Sequence, residues 1–338
     1  QMHWSQNLRK LHVDLTSYCN AKCPACARNL NGGPTTPGLA LEHFEVDVWN
    51  QLAKDTAGNI NKLFLNGNWG DPGMHPNLIE MLATFGQYHT DCDLVICTNG
   101  GMHKPEWWSE LATVLKDRRH RVVWSIDGIG KSHELYRRNT SYDRVIENMQ
   151  AFNSAGGASE WVMTLWDHNL HEIDTVRELA KDLGCYWLEL RDSHSPEELL
   201  VTDNDKRYEY TLYTKKAKDV KSGLEILNKD QAEKFRKDLR LDFPSQTEFK
   251  CPWYNEYSVQ IDPFMKVWPC CNISIYTHIK GHPMDQQFDV TTLPSDGFND
   301  LSKHSIYEIL EHPWWDTTLS TAINNAEYKV CRNSCGVR

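Results

Sequence analysis

Thr16-Ser-Tyr-Cys-Asn-Ala-Lys-Cys-Pro-Ala-Cys26 follows directly on an apolar, strand-like run, and its cysteines Cys19, Cys23 and Cys26 stand as C-x3-C-x2-C. Three thiolates on one short loop can hold three irons of a [4Fe-4S] cube and leave the fourth open to an outside ligand, whereas an electron-transfer cluster normally uses four. An open iron points to chemistry at the cluster. Closely spaced cysteines also bind zinc, but the usual two-plus-two pairing is absent near this loop.

Outward from the loop, short β-rich runs alternate with amphipathic helical stretches. Residues 11–16, 62–66, 94–98, 121–126, 161–165 and 185–191 read as strands. Residues 41–55, 76–88, 105–116, 142–155 and 170–183 read as the helices between them. Such a series predicts parallel βα units with right-handed crossovers, an α/β fold whose chemistry lies at the C-terminal ends of the strands. The cysteine loop sits at such an end, just after the first strand.

The loop and the alternation together resemble the radical S-adenosylmethionine (SAM) superfamily, whose fold is a partial (β/α)6 TIM-like barrel. The resemblance implies that the amino group and carboxylate of SAM fill the open iron position, and that electron transfer cleaves SAM to a 5'-deoxyadenosyl radical. It extends to Asn66-Gly-Asn-Trp-Gly-Asp-Pro-Gly-Met-His-Pro76, similar to the family's Gly-Gly-Glu-Pro segment. Gly70 and Asp71 then fall where the backbone approaches SAM and where the acid or nearby carbonyls take its ammonium group. Trp69 replaces the family's first glycine, and the acid is one carbon shorter. Thr98 and Asn99 match the family's Thr-Asn-Gly. In Trp124-Ser-Ile-Asp-Gly128, Ser125 takes the position that bonds the SAM ribose. Arg137 takes that of the arginine pairing with the SAM carboxylate, with Arg138 as its neighbouring competitor. A planar fork of donors suits a carboxylate. Relatives place an aromatic residue before the third cysteine; this chain has Ala25, so adenine contacts are expected from the backbone or from the sixth strand.

Residues 193–250 read as a polar, Lys-rich helical connection between a barrel at 1–192 and a third unit at 251–338. Its charge run reads as a solvated face or as a clamp for an anionic substrate walled by Tyr208, Tyr210 and Tyr213. The third unit carries five further cysteines, Cys251, Cys270, Cys271, Cys331 and Cys335, around a β-hairpin at 258–271 and a helix at 306–312. It resembles the shortened auxiliary-cluster domain called twitch, a reduced SPASM domain. By that resemblance Cys251, Cys270, Cys331 and Cys335 hold a second [4Fe-4S] cluster, with Cys270 and Cys271 able to exchange roles; a zinc knob is the alternative, since four cysteines satisfy zinc equally well. Cys92, Cys97 and Cys185 read as small buried apolar residues.

Two reactions follow from one open and one closed cluster. After hydrogen abstraction the auxiliary cluster accepts an electron, giving oxidation or cross-linking; or a thiol, Cys271 or Cys97, returns a hydrogen atom, giving epimerisation. The substrate is expected to be a peptide or a small molecule such as a sugar. No winged-helix-like leader-recognition segment is expected ahead of the first strand. A different class of reading is an iron-sulfur electron carrier or assembly factor that keeps the fold without radical chemistry. The resemblance also implies an electron donor such as flavodoxin or ferredoxin. Composition narrows the setting. A formal net charge of -10 over 338 residues argues against general nucleic-acid binding, which needs basic surface. Eleven cysteines in so long a chain are unlike a secreted disulfide framework, and no apolar run is long enough for a bilayer. A cytoplasmic setting is expected.

Overall fold

The computed structural model describes residues 4–193, 195–232, 251, 253, 256–278, 297–324 and 331. Period-two alternation decides which face of each strand is dry. In β1 (Lys10–Val13), Leu11 and Val13 are buried against the helices while Lys10 and His12 turn to the other face. β2 (Lys62–Leu65), β3 (Asp93–Thr98), β4 (His120–Ser125), β5 (Ser159–Thr164) and β6 (Trp187–Arg191) follow, each parallel to the one before. The outer layer joins Leu63, Leu94, Val122 and Trp161 of the strands to Trp49, Phe85, Trp108, Leu111 and Phe152 of the helices. Full burial of a Leu or Phe side chain of this kind contributes about 1.5–3 kcal/mol. On the inner face, Val95, Val123 and Val162 form an apolar patch with Phe64 and Cys97.

The helices of the sequence reading are present, with starts at Leu78 and Ile173 slightly later than expected, a further short helix at Lys131–Tyr136, and the largest shift at the first. Residues 41–45, expected as helical, are extended: Phe44 N–H donates to Leu15 O, and Thr16 pairs with His43. The helix begins only at Val46 and runs to Asp55. Strand pairing across the start of the cysteine loop outcompetes local helix propensity there.

The connection at 193–250 departs further. Where described, it is strand rather than helix: β7 (Glu198–Thr202) and β8 (Tyr208–Tyr213) form an antiparallel hairpin, and β9 (Gly223–Ile226) adds antiparallel to β6. Its helical pieces among the described residues are short, a 3-10 turn at Ala217–Asp219 and an α-helical turn at Lys229–Ala232. The polar composition masked a two-residue period, in which Leu199, Val201 and Leu212 bury against Trp166 with Tyr136 and Tyr210 beside them. Residues 233–250 lie outside the described residues.

The C-terminal hairpin is part of the main sheet. β10 (Ser258–Ile261) lies parallel to β1, and β11 (Val267–Trp268) antiparallel to β10, giving the order β11-β10-β1-β2-β3-β4-β5-β6-β9. Asp262 makes its turn by accepting from the Phe264 and Lys266 N–H groups and from Trp268 Nε1. Cys271–His278 is a helix, and Ile306–Glu311 is another, opened by a capping box in which Ser305 and Glu308 satisfy each other's backbone N–H. Among the described residues no helix is long and apolar enough to cross a membrane.

Candidate functional site

The cysteine loop leaves β1 and turns back on itself through the Cys26 N–H donating to Cys23 O and the Asn29 N–H to Cys26 O. Cys23 is buried, and Cys19 and Cys26 are half-buried. Burial pushes the Cys23 thiol up to about 11, the nearby thiol of Cys26 adding to the shift and Arg137 opposing it. Cys19 is also raised, first by burial, then by Asp71 and by the thiols of Cys23 and Cys26. The three sulfurs therefore lie within one another's field. Among the described residues no three His, Cys, Asp or Glu side chains converge on a position for a single metal ion.

Three segments hold this loop. The first is the 66–76 turn. A Cβ on Gly70 would stand 2.2 Å from Thr16 O and 2.5 Å from Tyr18 O, so only glycine lets the two backbones meet there. The Asp71 N–H then donates to Tyr18 O at 2.9 Å. The Asp71 carboxylate is 5% exposed and fully engaged. It accepts from the Gly73 N–H, from Thr98 Oγ1, and from both the N–H and the Nδ2 of Asn99.

The second segment is the end of β3, which Asp71 fixes. Asn99 Nδ2 reaches Cys19 Sγ at 3.7 Å and Asn20 Oδ1 at 2.9 Å. Asp71, Thr98, Asn99 and Cys19 thus form a continuous polar chain. Ser125 ends β4 and is half-buried.

The third segment follows β4. Gly128 and Gly130 adopt positive φ and turn the chain into the helix Lys131–Tyr136, which stops at Arg137; Asn139 then takes the left-handed conformation that Asn tolerates. Arg137 Nε donates to Asp127 Oδ2 at 2.5 Å, and its Nη1 lies 3.6 Å from Cys23 Sγ. Arg138 turns away, pairing with Glu209 and lying over the Tyr210 ring. Arg137 therefore faces the cysteine loop and Arg138 faces the β7–β8 hairpin. The Lys22 N–H, donating to Arg138 O, ties loop to helix.

A cavity of about 640 Å³ opens beside the loop, lined by Ala25, Cys26, Leu30, Tyr136, Thr164, Arg191 and Leu199 among others. Leu199 belongs to β7, so this hairpin supplies part of the wall that Ala25 leaves bare. Tyr210 also bonds Leu135 O through its hydroxyl, whereas Tyr208 and Tyr213 are exposed on the hairpin and form no wall with it.

Sequence reasoning missed the polar residues inside the barrel. Arg121 Nη1 stands 3.0 Å from Glu160 Oε2, and Arg191 holds Glu189 with its Nη2 at 2.7 Å. Burial, with Arg121 opposing and Glu189 adding, pushes Glu160 up to about 7. Strand periodicity alone marks these inward positions. Because the folded carboxyl holds its proton above the ordinary glutamate range, the stability that this proton preserves is lost as pH rises from about 4 through 7. Glu160→Gln removes that loss. The variant is expected to gain up to about 3 kcal/mol relative to wild type between pH 4 and pH 8. Urea unfolding at the two pH values checks this, and a pH-independent difference contradicts it.

At the C-terminal end, burial raises the Cys270 thiol, with further increments from Cys271, Cys251 and Cys331. Cysteines from three distant stretches of sequence are therefore neighbours in space, and Cys270 and Cys331 are buried. Cys335 lies outside the described residues. Cys271 opens its helix half-buried, and Cys97 faces the inner apolar patch, its thiol pushed up to about 12 by burial.

No family model matches the sequence. It is 27% identical over 181 residues to the AdoMet-dependent heme synthase of Methanosarcina barkeri (strain Fusaro / DSM 804), covering 52% of this chain and 48% of that protein. The chain thus spans about half the length of that curated relative. Among solved structures, native anSMEcpe with bound AdoMet is similar at a TM-score of 0.55 and 15% identity, over 89% of this chain and 80% of that one. Streptococcus suis SuiB is similar at 0.55 and 12%, over 93% and 68%. SuiB bound to its precursor peptide SuiA is similar at 0.52 and 12%, over 98% and 72%. At these identities the structural likeness is one of fold.

Proposed function

We propose that this chain, a member of the radical SAM superfamily, reductively cleaves SAM and abstracts hydrogen from a carbon of a peptide or of a small molecule such as a sugar. The observation that carries this reading is the meeting of Cys19, Cys23 and Cys26 with Arg137 and with the Asp71–Asn99 chain at the C-terminal ends of the parallel strands. Three buried or half-buried thiols on one loop suit a cube that gives each thiolate its own iron. Bound there, a [4Fe-4S] cluster with one open iron supplies the electron for SAM cleavage.

This chain's residues then divide the work. Arg137 keeps N–H donors free for the carboxylate of SAM, and Ser125 stands at the ribose position. Asp71 has no oxygen left for an ammonium group, so it positions Thr98 and Asn99, and the ammonium falls to backbone carbonyls of the 66–76 turn. The cavity lined by Leu30, Tyr136 and Leu199 takes the adenine end. An electron carrier needs none of these features.

Cys251, Cys270, Cys331 and Cys335 are proposed to hold a second [4Fe-4S] cluster, with Cys271 exchangeable for Cys270; the mutual influence of the first two, Cys271 and Cys331 supports this. A peptide substrate draws support from SuiB and anSMEcpe, fold neighbours with peptides bound. A flavodoxin or ferredoxin is the proposed electron donor, and the cytoplasm the proposed setting. Epimerisation is the second reading, supported by the position of Cys97 on the inner face, where burial pushes its thiol up, with Cys97 or Cys271 as the hydrogen donor. Turnover in heavy water separates the two. Oxidation gives a product two electrons more oxidised and free of solvent deuterium on carbon. Deuterium at an inverted centre in an otherwise unchanged product overturns oxidation.

A further inference from the structure

Arg137 is held from three sides by residues without an assigned role. The Asp127 carboxylate is 0% exposed; one oxygen accepts from Arg137 Nε at 2.5 Å and the other from the Thr164 N–H at 2.6 Å. The Asp127 N–H donates to His133 Nδ1 at 3.1 Å, which leaves the proton of the neutral ring on Nε2, facing Thr140 Oγ1 at 3.1 Å. The Thr140 hydroxyl in turn donates to Arg137 O, while the Arg137 N–H donates to His133 O at 2.8 Å. Asn169 Nδ2 closes the arrangement on Asp127 O at 3.1 Å.

We infer that Asp127, with His133 and Thr140, is the positioning group that fixes Arg137 toward the cysteine loop and thereby sets the affinity for the carboxylate of SAM. The inference rests on the SAM-binding reading above. A guanidinium is a planar fork whose recognition of a carboxylate depends on orientation. With Nε on a buried carboxylate and backbone bonds on both sides, one edge of the fork is occupied and the other is aimed at Cys23. The fork is therefore oriented before the ligand arrives, so less ordering opposes binding.

A double-mutant cycle tests this. SAM binding is measured by equilibrium dialysis on iron-reconstituted wild type, Asp127→Asn, Arg137→Gln and the double variant, with iron content measured on each. Asp127→Asn keeps an acceptor for the Thr164 N–H but places an amide against the guanidinium. It is expected to weaken SAM binding at least tenfold at unchanged iron content, and the double variant should bind no more weakly than Arg137→Gln alone. Wild-type affinity in Asp127→Asn, or losses that multiply in the double variant, would overturn the inference. If Asp127→Asn does not retain iron, Thr140→Val carries the test, since it spares the ion pair and removes the hydroxyl that links His133 Nε2 to Arg137 O. At least threefold weaker binding then supports the inference, and unchanged binding overturns it. Iron-replete wild type that binds no SAM overturns the functional reading itself.

Discussion

Replacing Cys19, Cys23 and Cys26 together by Ala is expected to abolish SAM cleavage and to reduce the iron bound after anaerobic reconstitution from about eight to about four per chain. The expectation follows from the separation of the two cysteine sets. The N-terminal three share one loop and influence one another's titration, whereas Cys270 is influenced by Cys251, Cys271 and Cys331. The loop's own turns are closed by backbone bonds, those of Cys26 and Asn29 among them, and survive removal of the thiols. The loss is therefore one of ligands, with the barrel intact. A wild-type preparation with four irons in total, or with zinc at the C-terminal cysteines, contradicts the two-cluster proposal.

Arg137→Ala carries the next largest effect because it strikes two partners at once. On the proposed reading the carboxylate of SAM loses a charge-assisted bond of about 1.5–3 kcal/mol, which is expected to weaken binding roughly tenfold or more. Asp127, fully buried, loses its counter-charge, and breaking such a pair costs about 3–5 kcal/mol of stability. Arg138→Ala breaks a half-exposed pair with Glu209, where about 0–1 kcal/mol is at stake, and leaves SAM affinity unchanged. SAM titrations and thermal unfolding of both variants check this; a large affinity loss in Arg138→Ala with none in Arg137→Ala reverses the assignment.

The barrel was legible because each of its strands buries a dry outer face behind a helix, as Leu11 and Val13 do, and that leaves a period in the sequence. The cysteine loop was legible because ligand spacing is local. Asp71 was found by position but not by role: its carboxylate is satisfied by Thr98 and Asn99, 27 and 28 positions away, and nothing in a local motif reports such a partner. Asp127 lay inside the quoted Ser-Ile-Asp-Gly run and passed unassigned for the same reason, its partner Arg137 being brought back by a helix and two positive-φ glycines. The β7–β8 hairpin was hidden by composition. Charged and polar residues, Glu198, Asp203, Asp205, Lys206, Arg207 and Glu209 among them, fill that stretch, while the alternation of Leu199 and Val201, which decides its structure, occupies few positions. Parallel addition of β10 to β1 joins residues almost 250 positions apart, a pairing that local pattern cannot specify.

The central claim is that this chain's cysteine loop and Arg137 serve SAM cleavage. Anaerobic incubation of the reconstituted protein with SAM and dithionite, analysed for 5'-deoxyadenosine, tests it most directly. The account predicts 5'-deoxyadenosine from wild type and none from the protein lacking Cys19, Cys23 and Cys26. Iron-replete wild type that forms no 5'-deoxyadenosine under these conditions would contradict it.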